Sequence, residues 1–271
     1  MDTLSNIALK LGHRKQESFN FLKHYDNILN HLRDTNIIFF EIGIGGSSDI
    51  NDGGHSLKMW GEYFSKAKLF ALDIYKKNLI FNERTQIFQG SQIDKNILNA
   101  IHNKSGDFDI IIDDGSHNNS HQIETFKILF PKLKSGGFYF IEDVQTSYYL
   151  SDGGDAFYLK NNKTAMNFFK DMIDKMHQVE HENPYSKADY FSKNITEISF
   201  FPNLIVIKKN DNLQKSHILK NNRKPTKGKS FLLLRNFLKE VKYFLHYIRS
   251  KIYSLLDFFK VWLLIISSIR T

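Results

Sequence analysis

The sequence predicts an α/β protein: a mostly parallel, Rossmann-like sheet that ends in an antiparallel hairpin and is followed by a basic helical tail. Three observations predict this fold. Short apolar runs alternate with helix-length segments between residues 36 and 142, as in βαβ units. Most of these runs end in an acid or a glycine, as buried parallel strands often do. Two later strand-like runs are separated only by Pro202-Asn203, which suits a hairpin.

The elements of the predicted sheet follow one another in a regular order. Strand-length apolar runs lie at 36–43, 68–74, 84–89, 108–114 and 138–141. Segments with helical periodicity lie at 57–64, 94–102, 120–133 and 163–181. A turn is predicted at Ser135-Gly136-Gly137, and the hairpin at 195–201 and 204–208. A parallel sheet that closes with such a hairpin is the outline of a class I methyltransferase rather than of a six-stranded dinucleotide-binding fold.

Composition divides the chain into four parts. Residues 1–35 are predicted to form an N-terminal helical segment, 36–210 the sheet domain, 211–230 a polar linker, and 231–271 a basic amphipathic helical tail. From Lys215 onward there are 13 Lys and Arg against two acids, a net charge of +11, whereas residues 1–214 carry −3. The basic balance therefore belongs to the tail, and no nucleic-acid partner is expected for the main domain.

Two further features of the composition limit the function. The 271 residues contain no cysteine, which excludes disulfides, thiolate metal sites and a cysteine nucleophile. Residues 1–15 alternate polar and apolar side chains and lack the continuous apolar stretch of a signal peptide. We therefore expect a cytoplasmic enzyme.

The run Glu41-Ile-Gly-Ile-Gly-Gly46 closes the first predicted strand. Gly43 and Gly45 would permit a tight turn and let a cofactor approach the backbone. Asp73, at the end of the second strand, is suited to accept hydrogen bonds from ribose hydroxyls. The dinucleotide fingerprint G-x-G-x-x-G is incomplete, because Ser48-Asp49 stand where its last glycine would fall. These residues predict a nucleotide-type cofactor site; the alternative is a loop that needs glycine only for its turn.

A second group of polar residues follows the next two strands. Asp114, Glu142 and Asp143 would lie at the tips of adjacent strands, where three converging carboxylates repel one another unless a cation neutralises them. Oxygen ligands of this kind suit Mg²⁺ or another hard divalent cation. His117 is placed to take a proton from a hydroxyl group bound there. The alternative, that Asp113 and Asp114 cap a helix, does not explain the second pair of acids.

The motifs resemble those of one family. The chain carries, in order, EIGIGG (41–46), DGGHSLKMW (52–60), IIIDDGSHNNSHQIETF (110–126) and GGFYFIEDVQTSYY (136–149). Over about residues 10–210 it resembles the Mg²⁺-dependent sugar O-methyltransferases of macrolide biosynthesis, which are class I enzymes that use S-adenosylmethionine. The ordered occurrence of these motifs is more specific than any one of them alone.

The resemblance implies a role for each matching residue. Asp114, Glu142 and Asp143 would be metal ligands and His117 the catalytic base. The predicted cofactor contacts are Glu41, Gly43, Gly45, Asp73, Gln92 and Asp113. Two departures concern the cofactor or substrate side: Ser91 stands where the family usually has an aspartate, and Gly12-His13-Arg14-Lys15 replaces the family's G-T-D-K.

The predicted reaction is transfer of a methyl group from S-adenosylmethionine to a sugar hydroxyl, with Mg²⁺ holding the acceptor. The acceptor is expected to be a small molecule or a glycan precursor of capsule, lipopolysaccharide or a glycosylated natural product. One alternative is methylation of a phosphate or phosphoramidate oxygen on a nucleotide-linked precursor. A second is a nicotinamide-dependent nucleotide-sugar oxidoreductase, which gives no reason for three convergent carboxylates. A third is an inactive, membrane-tethered binding module.

The basic tail has its own interpretation. Its longest uninterrupted apolar run, 261–266, is far shorter than the ~20 residues that span a bilayer. Lysine and arginine interrupt the phenylalanine, leucine, tyrosine and isoleucine positions, as in a helix that lies in a membrane interface. We therefore favour peripheral contact with the inner membrane face, and the alternative is packing on the main domain or on another subunit of a homo-oligomer.

Overall fold

A computed structural model describes residues 2–12, 21–181, 186–213 and 229–269. The chain forms two compact units. The first comprises residues 1–177 and 188–213, and the second comprises 178–187 and 214–271. The predicted linker lies mostly outside the described residues, and so do the residues His13-Arg14-Lys15 of the N-terminal departure.

The first unit is built on a seven-stranded sheet with the order β3-β2-β1-β4-β5-β7-β6. The strands are β1 Ile38–Ile42, β2 Lys68–Asp73, β3 Thr85–Gln89, β4 Phe108–Asp113, β5 Leu133–Glu142, β6 Ile195–Phe201 and β7 Leu204–Lys209. The first five pair in parallel, whereas β7 pairs antiparallel to both β5 and β6. The predicted parallel sheet with a closing hairpin is confirmed.

Helices cover both faces of this sheet. The helices of the unit are α1 Leu4–Lys10, α2 Phe21–Leu29, α3 His55–Tyr63, α4 Lys95–Ser105, α5 Asn119–Leu129, α6 Ala165–Met176 and α7 Tyr190–Asn194. In β1, Phe39 packs on the face that α1, α2 and α3 cover, while Phe40 packs on the face that α4, α5 and α6 cover. Full burial of each such side chain contributes about 1.5–3 kcal/mol, so both helical layers hold the central strands in place.

The predicted turn at Ser135-Gly136-Gly137 is wrong, because these residues lie inside β5. Phe108 of β4 pairs with Leu133, and Ile110 pairs with Phe138, so β5 carries extra residues opposite β4. Gly136 takes a φ of +86°, which glycine adopts without a steric penalty. The glycines therefore form a bulge that keeps the strand continuous instead of ending it.

The helices near the hairpin also differ from the prediction. The helix expected at 163–181 ends at Met176, and a short helix, α7, precedes β6. Asp189 begins α7 with a reciprocal pair of hydrogen bonds: its carboxylate accepts from the Ser192 amide at 2.9 Å, and its own amide donates to the Ser192 hydroxyl at 2.8 Å. Five residues are too few to produce a helical period, so periodicity alone missed this helix.

The second unit contains one long helix, α8 Lys229–Ile269. Large apolar side chains along it are exposed, including Phe244 and Leu245. Arg249 donates to the Tyr253 hydroxyl one turn later at 2.9 Å. Among the residues that the structure describes, no helix combines the length and the apolar character that crossing a bilayer requires.

The β5 bulge predicts that two neighbouring substitutions lower the free energy of unfolding by different amounts. Gly136→Ala adds only the strain of a positive φ, about 1 kcal/mol, because the new methyl group would meet nothing within 4 Å. Gly137→Ala should cost more, because its methyl group would lie 2.8 Å from the Asp109 carbonyl oxygen. Urea denaturation of both variants measures the difference, and equal losses would contradict this account of the bulge.

Candidate functional site

The carboxyl ends of the parallel strands border one cleft, as expected for an open α/β sheet. The cleft has a volume of about 430 Å³, which lies in the range of ordinary ligand pockets. Loops after β1, β2, β3 and β4 form its walls. The lining residues are Ile42, Gly43, Gly45, Ser47, Leu72, Asp73, Ile74, Tyr75, Gly90, Ser91, Gln92, Asp114, Gly115, Ser116, His117 and His121.

The two predicted glycines serve different needs. Gly43 has a φ of +79°, and a side chain there would collide with the backbone carbonyl of Asp114. It therefore lets the loops after β1 and β4 approach each other. Gly45, at φ +72°, faces open space, so a side chain would project from the loop without meeting protein atoms. Its backbone is accordingly accessible along the cleft wall.

Asp73 lines the cleft at the end of β2 and is almost completely buried. Its two carboxylate oxygens accept backbone hydrogen bonds from Ile44 at 3.1 Å and from Tyr75 at 2.8 Å. These bonds fix the carboxylate beside the glycine loop. Since each carboxylate oxygen can accept more than one hydrogen bond, capacity for ligand hydroxyls remains.

Gln92 connects three elements beneath the cleft. Its amide nitrogen donates to Asp113 at 3.0 Å and to the Thr125 hydroxyl at 3.1 Å, while its amide oxygen accepts from the Ser116 backbone at 2.7 Å. Burial raises the pKa of Asp113 to about 7. Gln92 also lines the cleft, whereas Asp113 does not, so a direct contact between Asp113 and the cofactor stays a prediction.

Glu41 is also fully buried and is not among the residues that line the cleft. Its carboxylate accepts a hydrogen bond of 2.9 Å from the Ser56 hydroxyl in the first turn of α3. The bond ties the start of α3 to the end of β1, on either side of the glycine loop. The predicted contact between Glu41 and the cofactor stays a prediction.

Asp114, His117 and Asp143 come together beside the cleft. One potential ligand atom from each lies within 4.8 Å of those of the other two. The His117 Nε2 is 3.5 Å from an Asp143 carboxylate oxygen. Gln145 donates to the other oxygen of Asp143 at 3.0 Å and so restricts its rotation. The structure therefore brings together two of the three predicted ligands and the predicted base.

Two residues of this cluster have an unusual backbone. His117 has a φ of +55° and Asp143 a φ of +54°, in the left-handed region that side chains disfavour. The Thr146 hydroxyl lies 2.7 Å from the His117 carbonyl and 3.0 Å from the Asp143 carbonyl. One buried threonine thus holds both strained peptides in place. Strain maintained by surrounding contacts is typical of functional sites.

Glu142, the third predicted ligand, has a different environment. It is buried, and one carboxylate oxygen accepts a hydrogen bond of 2.6 Å from the hydroxyl of Tyr25 in α2. Burial, and then the charge of Glu142, hold the pKa of Tyr25 well above its usual value, so the phenol remains a donor. The backbone carbonyl of Glu142 accepts from Gln122 at 2.9 Å. Ligation by Glu142 stays a prediction.

The donor set fits a hard divalent cation. Mg²⁺ prefers oxygen ligands and keeps several waters, which acceptor oxygens could replace. Asp114 and Asp143 supply carboxylate oxygens, and Glu142 directly precedes Asp143 in the chain. An imidazole is a poor ligand for such an ion, so the position of His117 suits proton transfer better than metal binding.

Sequence reasoning missed three residues that organise this site: Tyr25, Gln122 and Thr146. Tyr25 lies 117 positions before Glu142, and no local pattern links the two. Thr146 lies in the motif TSY, which could have drawn attention to it. The two tyrosines that end the same region, Tyr148 and Tyr149, are 40% and 51% exposed, so they are not core residues.

Curated relatives of the chain are O-methyltransferases. The tetracenomycin 3'-O-methyltransferase of Streptomyces olivaceus, whose substrate is named as an 8-demethyl-8-(2-methoxy-alpha-L-rhamnosyl) derivative, is 36% identical over 193 residues. The L-olivosyl-oleandolide 3-O-methyltransferase of Streptomyces antibioticus is 38% identical over 176 residues. The mycinamicin VI 2''-O-methyltransferase of Micromonospora griseorubida is 35% identical over 193 residues. The chain is a homologue of these sugar O-methyltransferases.

The homologous region is part of each protein. These matches cover 71%, 65% and 71% of this chain, but the chain spans only about half of the relatives, 50%, 46% and 48%. No protein-family model matches the chain. The methyltransferase MycE of the mycinamycin pathway, solved with Mg and SAH, superposes with a TM-score of 0.77 at 31% identity over 86% of this chain and 60% of that one. The predicted family resemblance and class I methyltransferase fold are therefore confirmed.

The contact of Thr146 with two strained peptides predicts that the protein loses stability when the hydroxyl is removed. Thr146→Val leaves the His117 carbonyl without its donor and should lower the free energy of unfolding by about 1–3 kcal/mol. Thr146→Ser keeps the hydroxyl and should recover most of that loss. Urea denaturation of both variants tests the contact, and a valine variant as stable as wild type would rule it out.

Proposed function

We propose that this protein is an S-adenosylmethionine-dependent, divalent-metal-dependent O-methyltransferase that acts on a hydroxyl of a sugar or glycan precursor. One observation carries the proposal. The cluster of Asp114, His117 and Asp143 borders the cleft that the glycine loop and Asp73 line. Homology to sugar O-methyltransferases supports the same reaction.

We assign the reaction to the domain 36–210 and the metal to Asp114, Glu142 and Asp143. A divalent cation held there would lower the pKa of an acceptor hydroxyl and orient it. His117 Nε2, 3.5 Å from Asp143, takes the proton of the hydroxyl as the hydroxyl oxygen attacks the methyl carbon and displaces S-adenosylhomocysteine. The Asp143 carboxylate lies beside the imidazole that receives this proton.

We assign cofactor binding to Glu41, Gly43, Gly45, Asp73, Gln92 and Asp113. S-adenosylmethionine would supply the methyl group from the cleft that these residues line or support. Gly43 and Gly45 allow close approach to the backbone, and Asp73 is suited to the ribose hydroxyls. Gln92 lines the cleft and also fixes its loops, whereas Glu41 and Asp113 act from below. Orientation of the methyl donor toward the acceptor supplies much of the rate.

We place the enzyme in the cytoplasm, at the inner face of the membrane, and its acceptor in polysaccharide or glycoconjugate biosynthesis. The basic side chains of α8 and its exposed phenylalanines, leucines and tyrosines suit the headgroup region of an anionic bilayer. Tyr148 and Tyr149, exposed after the acids of β5, are suited to contact a sugar face. Homo-oligomerisation through α8 is the other use of the same surface.

The cofactor assignment is tested first. Isothermal titration with S-adenosylhomocysteine should give micromolar binding to wild type. Asp73→Ala should weaken it by roughly tenfold or more, because charge-assisted hydrogen bonds contribute about 1.5–3 kcal/mol. Asp107→Ala, which removes an exposed acid paired with His102, is the control and should bind like wild type. Failure of folded wild type to bind would remove the proposal.

If His117 is the base, its loss should lower the rate of methyl transfer without weakening the binding of cofactor or metal. His117→Ala should lower kcat by about 10²–10⁴ while binding of S-adenosylhomocysteine and Mn²⁺ stays within a few-fold of wild type. His55→Ala, which removes an exposed histidine near Asp52, is the matched control for turnover. Activity assays of wild type with sugar and nucleotide-linked acceptors, each with and without Mg²⁺, identify the acceptor class. A His117 variant with normal turnover would exclude it as the base.

If α8 contacts the membrane, binding to anionic vesicles should depend on the basic side chains of this helix. Wild type should sediment with vesicles rich in phosphatidylglycerol and not with phosphatidylcholine alone. Lys242→Glu with Arg249→Glu should weaken binding roughly thirtyfold or more, at about 1 kcal/mol per basic residue removed. Lys66→Glu with Lys76→Glu in the first unit is the charge-matched control. Equal loss in both double variants would indicate a general charge effect instead of binding by α8.

A further inference from the structure

We propose that Tyr25 is a positioning residue for the metal site, which makes cation affinity depend on the N-terminal helix α2. The inference rests on the proposed function, because it assumes that Glu142 is a ligand. It goes beyond that function by assigning a role to a residue outside the predicted domain 36–210.

The first step is the contact itself. The Tyr25 hydroxyl donates to a carboxylate oxygen of Glu142 at 2.6 Å, and both side chains are buried. The Tyr25 ring lies edge-on against Trp60, with 5.1 Å between ring centroids, and 4.6 Å from Phe140. Packing on both sides leaves the phenol little freedom to move, so the hydroxyl fixes where the carboxylate points.

The second step concerns charge. A lysine or arginine in this place would neutralise Glu142 and compete with a cation. A phenol stabilises the buried carboxylate without adding positive charge, so the attraction for a cation is kept. Asp114 and Glu41 also lie close enough to interact electrostatically with the Tyr25 hydroxyl. The hydroxyl therefore sits among the acids of the site.

The third step is the size of the effect. Groups that hydrogen-bond to metal ligands typically change metal affinity by 10–100-fold. Glu142 ends β5, and Asp143 directly after it has a left-handed backbone. Loss of Tyr25 would remove the hydrogen bond that holds one oxygen of the carboxylate beside this constrained residue. The effect is expected in metal affinity and not in cofactor binding.

The chain provides a matched control in Tyr63. Its ring is also buried, and its hydroxyl donates to an aspartate, Asp26, at the same distance of 2.6 Å. It contacts Trp60 as well, with 6.3 Å between the ring centroids. It does not bond to Glu142. Tyr63→Phe therefore reproduces the loss of a buried tyrosine–carboxylate bond made by helix α2, here to α3 instead of β5, without touching the site.

The experiment is Mn²⁺ titration of the full-length protein, with free Mn²⁺ followed by electron paramagnetic resonance. Wild type should bind one Mn²⁺. Tyr25→Phe should weaken that binding by roughly 10–100-fold, whereas Tyr63→Phe should stay within twofold. The two variants should have similar melting temperatures, and both should bind S-adenosylhomocysteine with the affinity of wild type.

A double variant separates positioning from general packing. If Tyr25 acts through Glu142, adding Tyr25→Phe to Glu142→Gln should not weaken Mn²⁺ binding further. Equal Mn²⁺ affinity in the two tyrosine variants, or additive losses in the double variant, would overturn the inference while leaving the proposed function intact. Absence of Mn²⁺ binding to folded wild type would instead overturn both, beginning with the metal site.

Discussion

Buried carboxylates at one edge of the sheet are the constraint on which the rest of this structure depends. Burial of a charged carboxylate is costly unless hydrogen bonds or opposite charge compensate it. Glu41, Asp73, Asp113 and Glu142 lie at or next to the ends of four different strands. Each accepts hydrogen bonds from neutral groups: the Ser56 hydroxyl, two backbone amides, the Gln92 amide and the Tyr25 hydroxyl. Neutral donors stabilise the acids without adding positive charge.

The same bonds explain why distant parts of the chain meet there. Ser56 belongs to α3, Gln92 to the loop after β3, and Tyr25 to α2, so each acid anchors a different element to the sheet edge. The apolar core sets the distance between helices and sheet. The polar hydrogen bonds set where each helix or loop lies along the strand ends at the cleft. A substitution in one of these donors is therefore expected to alter the geometry of the cleft before it affects the core.

The strained backbones at His117 and Asp143 belong to the same arrangement. Their side chains approach each other because both peptides adopt a left-handed conformation, and the Thr146 hydroxyl contacts both carbonyls. Stability is given up locally to bring a base and a carboxylate to one place. The parallel core, buried on both faces, fixes the strand ends from which these two peptides follow.

The sequence by itself determined the order of the strands and of the longer helices between them, the closing hairpin and the acids at the strand ends, because period, apolar runs and glycine positions are local signals. Local signals also misled: Gly136 suggested a turn, but pairing with β4 made it a bulge. Motif resemblance reached Asp114, His117 and Asp143, which the structure brings together. Only the tertiary structure placed Tyr25 on Glu142 and Gln92 on Asp113, because those bonds join residues far apart in the chain and depend on how the helices pack.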